Sequence, residues 1–514
     1  MKTVLAVLLA LVVFVPALAQ APAPQAGEKV PLPLRETIAR AVEHNFDIAV
    51  SRVDPEINRN FVTEAEAAFD WSLDASVDYG KTEEEPSSPL TGSSTKSGHV
   101  GAGVSKRTKI GGSFAGSWNY SENVSESSFF VLPRRDQSTL ALTYTQSLLR
   151  NYGLEVNEVS IKTAANNLKI SEATLRQRIN ETIETAEVDY WTLVGAQRQY
   201  DVAVASLDLA KDFLRQTKIR VEVGTLPPIE ITTAEAEVAS REEGVIVAEN
   251  AVRNSEDTLR ALLALTWDSP EWGRPIRPTD EPGFAPVAID VDQAVATALE
   301  RRPEIAQAQL AVTNSQLNER FRNNQVKPDL SVTLGYQNWG NNFDYQFIDT
   351  NGDGTVDTRV IAQGRSEAIK EMLTSRDNNS WGISGAFSMP IGHRAAKAAY
   401  ARAKLVTMQN NLQLDALRQT IRVQVRQGAR DLETAARRVA TTRANVVLQR
   451  KKLDAEQKRY ENGLSTAFQV LTFQTDLRNA ESAEINAVVD YNKALAHLGR
   501  VKGTLAEDRG VTLK

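Results

Sequence analysis

Between Ala395 and Glu461 the chain has no proline and only one glycine, Gly428. A helix uninterrupted over ~65 residues extends about 100 Å, longer than an ordinary globular domain. Ile421, Val425, Leu432, Ala435, Val439, Val446 and Leu453 recur at helical spacing, with Arg and Glu on the other faces, so this helix is amphipathic and needs packing partners. Leu154 to Val223 reads as a second such helix, broken only by Gly195, and Ile229 to Leu265 and Thr466 to Leu498 read as shorter return helices. Taken alone, these segments fit a coiled-coil rod. What precedes each long helix points elsewhere.

The order of segments repeats. Ala41-Val-Glu-His-Asn-Phe-Asp-Ile48 is echoed by Ala298-Leu-Glu-Arg-Arg-Pro-Glu-Ile305, and Arg220-Val-Glu-Val-Gly224 by Arg459-Tyr-Glu-Asn-Gly463 at a shorter offset. Each copy runs through a short helix, a strand region, a long helix, a glycine turn and a return helix. Copy one covers 34–265, with strands about 71–146 and helices about 154–265; copy two covers 290–505, with strands about 329–390 and helices about 395–498. A proline-rich linker over 20–33 precedes the first copy, another over 266–289 joins the two, and 506–514 reads as a C-terminal tail.

Lys2, the apolar stretch Val4 to Val15, Pro16 and the triplet Ala17-Leu18-Ala19 have the layout of a secretory signal peptide over 1–19. No later segment is an unbroken apolar run of the ~18 residues that a spanning helix needs. A membrane location therefore requires strands closed into a barrel, the other way to satisfy every backbone group. With no cysteine, the chain has neither disulfides nor a lipidated N-terminal cysteine. The net charge of −6 gives no reason to expect nucleic acid.

The strand regions alternate with period two. In copy two, Leu330, Val332, Leu334 and Tyr336 alternate with Ser331, Thr333, Gly335 and Gln337, and Trp381, Ile383 and Phe387 with Gly382, Ser384, Ala386 and Ser388. In copy one, Leu73, Ala75, Val77 and Tyr79 alternate with Asp74, Ser76 and Asp78, and Leu140, Leu142 and Tyr144 with Ala141, Thr143 and Thr145. An apolar face and a small, polar face suit lipid outside and water inside; a soluble β-sandwich alternates in the same way. Trp71, Trp118, Trp339 and Trp381 favour the barrel, because they stand where interfacial girdle residues would. So do the long polar connections Lys81 to Ser97, Ser121 to Gln137 and Gly340 to Ser380. Val100, Ala102 and Val104, then Phe114, Trp118 and Tyr120, add a further pair of runs around the basic turn Lys106 to Gly112. The wall therefore takes four strands per chain, or six if this pair joins it.

Asp349, Asn351, Asp353 and Asp357 occupy positions one, three, five and nine of a calcium-type loop, with Gly354 at six and Thr355 at seven. The closing acid is missing, since Val360 stands at twelve, and Asp, Asn and Gly are also ordinary turn formers. Calcium in an extracellular loop is the one ion the sequence suggests, and no cofactor is required. His44, His99, His393 and His497 are scattered, and no HExxH, G-x-S-x-G or P-loop spacing occurs, so nothing points to an enzyme.

The two repeat openings, the strand-to-helix phrases Gln146-Ser-Leu-Leu-Arg-Asn-Tyr-Gly153 and Ser388-Met-Pro-Ile-Gly392, and the turns at Gly224 and Gly463, six phrases in order, resemble the TolC family of outer-membrane efflux proteins over nearly the whole chain. The resemblance implies an α+β membrane protein: a homotrimer whose β-barrel sits in outer-membrane lipid and continues into a long antiparallel α-helical coiled-coil barrel in the periplasm. It implies an export channel of a tripartite efflux or type I secretion system, with a periplasmic adaptor and an inner-membrane transporter as partners. It places a periplasmic gate at Glu230, Tyr460, Gln469 and Thr472, and adaptor docking at Gly224, Thr225, Leu226, Gly463, Leu464 and Ser465. Some members carry aspartates at the positions of Gln469 and Thr472, so this chain departs from gating by aspartate rings. A ring of Glu230 carboxylates would favour cations, although an acid there also suits a helix N-terminus. Glycine at both turns equally suits any helix C-terminus. The residues by themselves leave two alternatives, a non-conducting envelope-spanning structural protein or adhesin and a soluble periplasmic adaptor; apolar-out alternation argues against the second.

Overall fold

A computed structural model describes residues 29–85, 94–125, 132, 134–266, 268–269, 271–348 and 357–511. In chain order the elements of the first copy are β1 (Val30–Leu32), α1 (Leu34–His44), α2 (Phe46–Ala67), β2 (Trp71–Glu83), β3 (Ser94–Arg107), β4 (Gly112–Ser125), β5 (Arg134–Ser147), α3 (Leu154–Asn157), α4 (Val159–Glu222) and α5 (Ile229–Leu262). Then come β6 (Ile276–Pro278), α6 (Val291–Arg301), α7 (Pro303–Gln325), β7 (Asp329–Asn341), β8 (Phe343–Ile348), β9 (Asp357–Ala362), α8 (Arg365–Thr374), β10 (Asn379–Ser388), α9 (Arg394–Glu461), α10 (Ala467–Lys502) and α11 (Leu505–Asp508). The signal-peptide segment lies outside the described residues.

The echoed openings have the same local cause. In each copy a short helix stops and a second begins within two residues. Asn45 makes the first break, its Oδ1 accepting from the N–H groups of Asp47 (3.0 Å) and Ile48 (3.3 Å). Pro303 makes the second, at the first helical position, where its missing N–H costs nothing. The echoed Ala41, Ala298, Ile48 and Ile305 are all buried.

The chain forms two compact units that do not follow the two copies. One gathers the described residues up to Ile48, Ile179–Val291 and those from Arg426 on; the other gathers Ala49–Arg178 and Asp292–Val425.

The second unit holds one six-stranded sheet in the order β10-β7-β5-β4-β3-β2, with every neighbouring pair antiparallel. The additional pair of copy one thus belongs to the same sheet, and of the two expected counts, four and six, the sheet has six. Trp339 pairs with Thr139 and falls on the small, polar face, opposite Trp71, Trp118 and Trp381. Period two allows no other placement, because Trp339 follows Asn338 by a single residue. The long connection expected from Gly340 to Ser380 is structured in part: β8 and β9 pair as a hairpin, and α8 packs on β5 and β7.

The first unit is helical apart from the short strands β1 and β6. Its stretches of α9 and α10 carry buried Leu432, Val439, Val446, Leu453, Val470, Leu477 and Val489 at helical spacing. Gly195 of α4 faces Val489 of α10 so closely that an added Cβ would stand 3.1 Å from Val489 Cγ2. The expected helix from Leu154 instead starts as the single turn α3, and α4 begins at Val159.

The two proline-rich linkers are not loose. β1 and β6 pair in parallel, Val30 with Ile276 and Leu32 with Pro278. Beside them Asp280 Oδ2 accepts from the buried Tyr190 hydroxyl (2.7 Å) and from the Leu34 N–H (2.7 Å). Burial pushes the Tyr190 hydroxyl well above its ordinary pKa. The tail is also docked. Ala506 N–H donates to Asn180 Oδ1 (3.1 Å), and Arg509 grips the fully buried Glu187 carboxylate through Nε (2.6 Å) and Nη2 (2.7 Å). Arg509→Ala leaves that carboxylate buried and unpaired, a loss of about 3–5 kcal/mol. Denaturant unfolding of the detergent-purified protein, followed by helical circular dichroism, should show the lowered midpoint, and an unchanged midpoint would contradict the role assigned to the pair.

Candidate functional site

The sheet register sorts the side chains of all six strands. Residues paired across strands share a face. Leu73 pairs with Val104, Val104 with Gly116, Gly116 with Leu142, Leu142 with Tyr336 and Tyr336 with Trp381. One apolar face therefore runs unbroken from β2 to β10. Its edges are bare: Leu73, Val77 and Tyr79 on β2 and Trp381, Ile383 and Phe387 on β10 are among the most exposed large apolar side chains, with Trp381 79% exposed.

The opposite face carries Ser72, Asp74, Ser76 and Asp78 of β2, Ser113 and Ser117 of β4, Thr143 and Thr145 of β5, and Ser331 and Thr333 of β7. Hydroxyl pairs stitch it together, Ser72 with Ser105 (2.6 Å) and Thr145 with Thr333 (3.0 Å). These short, polar side chains give a readily hydrated surface of little bulk.

Each strand-to-helix switch contains residues in the left-handed region. Asn151 (φ 63°) and Gly153 (φ 101°) turn β5 towards α3, while Gly392 (φ 82°) and His393 (φ 47°) turn β10 into α9. Asn157 Nδ2 holds the first switch by donating to the carbonyls of Asn151 (2.8 Å) and Gly153 (2.9 Å). These conformations explain why the two phrases stand out in the sequence.

At the other end of the long helices the two turns share one geometry. Gly224 (φ 80°) donates to Val221 O (2.9 Å) and Thr225 N–H to Arg220 O (2.8 Å); Gly463 (φ 74°) donates to Tyr460 O (3.0 Å) and Leu464 N–H to Arg459 O (2.9 Å). Both are the two-bond glycine C-cap. Between them lies an apolar core of Phe213, Ala234, Leu453, Tyr460, Ala467 and Val470. The Arg220 guanidinium stacks over the Tyr460 ring at 4.7 Å.

A family model described as outer membrane efflux protein matches residues 152–265 and 294–504, more than half of the chain. The chain belongs to the outer membrane efflux protein family. It is accordingly an outer-membrane export channel, and the family is one of transport proteins. No curated protein matches it by sequence. The fold agrees. The outer-membrane channel OprN superposes with a TM-score of 0.64 at 15% identity, over 92% of this chain and 90% of that one. VceC of Vibrio cholerae does so with 0.64 at 14%, over 91% and 96%. MtrE of Neisseria gonorrhoeae, solved in an open state, does so with 0.61 at 16%, over 92% and 89%.

Within this efflux-family chain, the residues assigned to gate and docking gather around the two turns. Glu230 lies in the first turn of α5, half-buried. Gln469 is exposed, its N–H donating to the Thr466 cap, and Thr472 is exposed, its hydroxyl donating to Phe468 O (2.8 Å). Tyr460, only 5% exposed, belongs to the core within one chain. Gly224, Thr225, Gly463 and Leu464 are exposed, Leu226 packs at the margin of the core, and the Ser465 hydroxyl is bound by Glu456. Sequence reasoning missed the exposed Val223, Ile229 and Phe468 that flank the turns; apolar residues beside a glycine turn were their only signal. Of the calcium-type loop, Asp349, Asn351, Asp353 and Thr355 lie outside the described residues, and Asp357 is described only by its backbone, at the start of β9.

No heavy atom stands within 4 Å of a Cβ added at Gly224 or Gly463. Gly224→Ala or Gly463→Ala therefore costs backbone strain alone, about 1–2 kcal/mol. Hydrogen exchange at the last turn of α4 or α9 should quicken roughly 5- to 30-fold, with protection of the sheet unchanged.

Proposed function

We propose that three copies of this chain close their sheets into one barrel in the outer membrane and that the long helices form the periplasmic duct of a tripartite efflux or type I secretion system. The observation that carries this is the pair of bare edges. An edge strand with unpaired backbone groups and exposed apolar side chains demands another strand, and inside a bilayer the demand is absolute. In one chain β2 and β10 are the free edges of the sheet, and every residue of both strands is exposed. Pairing β2 of one copy with β10 of the next supplies the missing bonds. Three six-stranded sheets give eighteen strands, a size at which barrels of roughly 16–18 strands leave an aqueous channel.

The two turns are the docking tips for a periplasmic adaptor, which itself is held by an inner-membrane transporter. Support comes from exposed Val223, Ile229, Leu464 and Phe468 around two capped turns of equal geometry, since apolar clusters on a surface mark interfaces. Glu230, repeated by symmetry, contributes a ring of charge at the periplasmic mouth, with Gln469 and Thr472 as uncharged neighbours.

Recordings from the purified protein in planar bilayers test the channel, with its mass in detergent measured in parallel. The expected result is stepwise conductance from a trimer. A trimer that never conducts would instead indicate an envelope-spanning structural protein or adhesin. Glu230→Gln should lower the cation preference measured as a reversal potential in a salt gradient, and an unchanged potential would remove Glu230 from the gate. A cysteine in place of the exposed Thr225 should crosslink to a periplasmic protein in cells of the source organism; a site that captures none would speak against docking there.

A further inference from the structure

Helix α8 sits on an unexpected side of the wall. An added Cβ at Gly340 would collide with Ala368 O at 2.2 Å and Met372 N at 2.4 Å, so the face on which Gly340 lies is the face that α8 covers. Gly340 pairs with Ser138, Ser138 with Tyr120 and Tyr120 with Val100, which places that face with Tyr336, Leu334 and Leu142 on the apolar side. Two contacts fix the seat: Ser138 Oγ donates to Met372 Sδ (3.2 Å) and Arg365 Nη2 donates to Glu122 Oε1 (3.3 Å), while Trp118 Nε1 holds Ser138 Oγ from the next strand (2.8 Å). Running from Glu122 of β4 across β5 to Asn338 of β7, α8 crosses the strands at the end of the wall away from the long helices.

The helix is buried on Ala368 and Met372 and has two unlike flanks. Glu371 lies on one, where Oε2 accepts from Asn341 N–H (2.6 Å) and Oε1 from Asn378 Nδ2 (2.8 Å), both at the outer limit of the sheet. Ile369 and Leu373, one turn apart, lie on the other. That flank turns back towards the apolar band, with Ile369 36% and Leu373 69% exposed.

We propose that α8 is an interfacial helix seated in the outer leaflet, its occupant the lipid around the barrel, with Ile369 and Leu373 in the upper acyl region and Glu367 and Glu371 on the water side. The inference rests on the membrane-wall reading of the sheet. Continuity carries it: the helix stands on the surface that lipid covers, and it adds apolar area on the flank nearest that lipid. An amphipathic helix in the plane of the interface is held by this arrangement. Fixed to the wall at Gly340 and Ser138, it sets the depth of the barrel and covers part of the rim.

The chain has no cysteine, so single-cysteine variants carry one environment-sensitive fluorophore each. Leu373→Cys, Glu367→Cys and, as a control on the wall, Ile383→Cys are labelled and reconstituted as the full-length protein. The vesicles are phosphatidylcholine with phosphatidylglycerol, with or without a lipid bearing a shallow nitroxide. The expected result is a blue-shifted Leu373 probe quenched by the nitroxide about twofold more than the Glu367 probe, with the Glu367 probe open to aqueous iodide. If the Leu373 probe is quenched by iodide like Glu367 while Ile383 responds to the nitroxide, the interfacial helix is overturned and the wall stands. If Ile383 also fails to respond to the nitroxide, the wall reading falls, and the helix assignment falls with it.

Discussion

Cross-strand register is the constraint on which the rest of this molecule depends. Side chains alternate with period two, so a slip of one residue between any pair of strands would exchange the apolar and hydroxyl faces from that pair onward. Five successive pairings hold the same phase from β2 to β10. The apolar face, the hydroxyl face, the bare edges and the seat of α8 all follow from that phase. Glycines serve it where bulk is forbidden. Gly116 keeps the face continuous beside Leu142, and Gly340 makes room for a helix backbone.

The duplication has a related logic. What the copies keep is what geometry obliges: a buried alanine and isoleucine at each opening, left-handed residues at each switch, and a glycine cap at each turn. What they do not keep is elaboration. Among the described residues copy one has four strands in the sheet and copy two has two, and the β8–β9 hairpin and α8 belong to copy two alone. A frame set by backbone conformation tolerates inserted hairpins, because each insertion adds paired edges and keeps the existing phase.

Legibility followed the same division. The long helices could be read because 3.6-residue periodicity persists with no proline to end it, and α9 runs Arg394–Glu461 against an expected Ala395 to Glu461. Six strands could be read as runs, but not as neighbours, since pairing partners leave no local mark; hence the open count and the misplaced Trp339. β1 and β6 are three residues each, too short for any period, and both contain proline. α8 is ten residues inside a polar stretch, and its meaning lies in Gly340, which alone reads as an ordinary glycine. Near the turns, resemblance supplied the residues, and packing then separated Tyr460, a core aromatic within one chain, from the exposed Gln469 and Thr472.

The parallel pairing of β1 with β6 has a consequence for how the protein is made. Val30 finds its strand partner only at Ile276, and Glu187 meets its cation only at Arg509. Both compact units interleave early and late stretches of the chain: the sheet unit has all its residues once Val425 is made, the other unit only after the stretch that begins at Arg426. Contacts of such long sequence separation form slowly, because loop closure comes first, and bare strand edges are hazardous meanwhile. The unit that holds Glu187 is therefore the last to close, once Arg509 has been made.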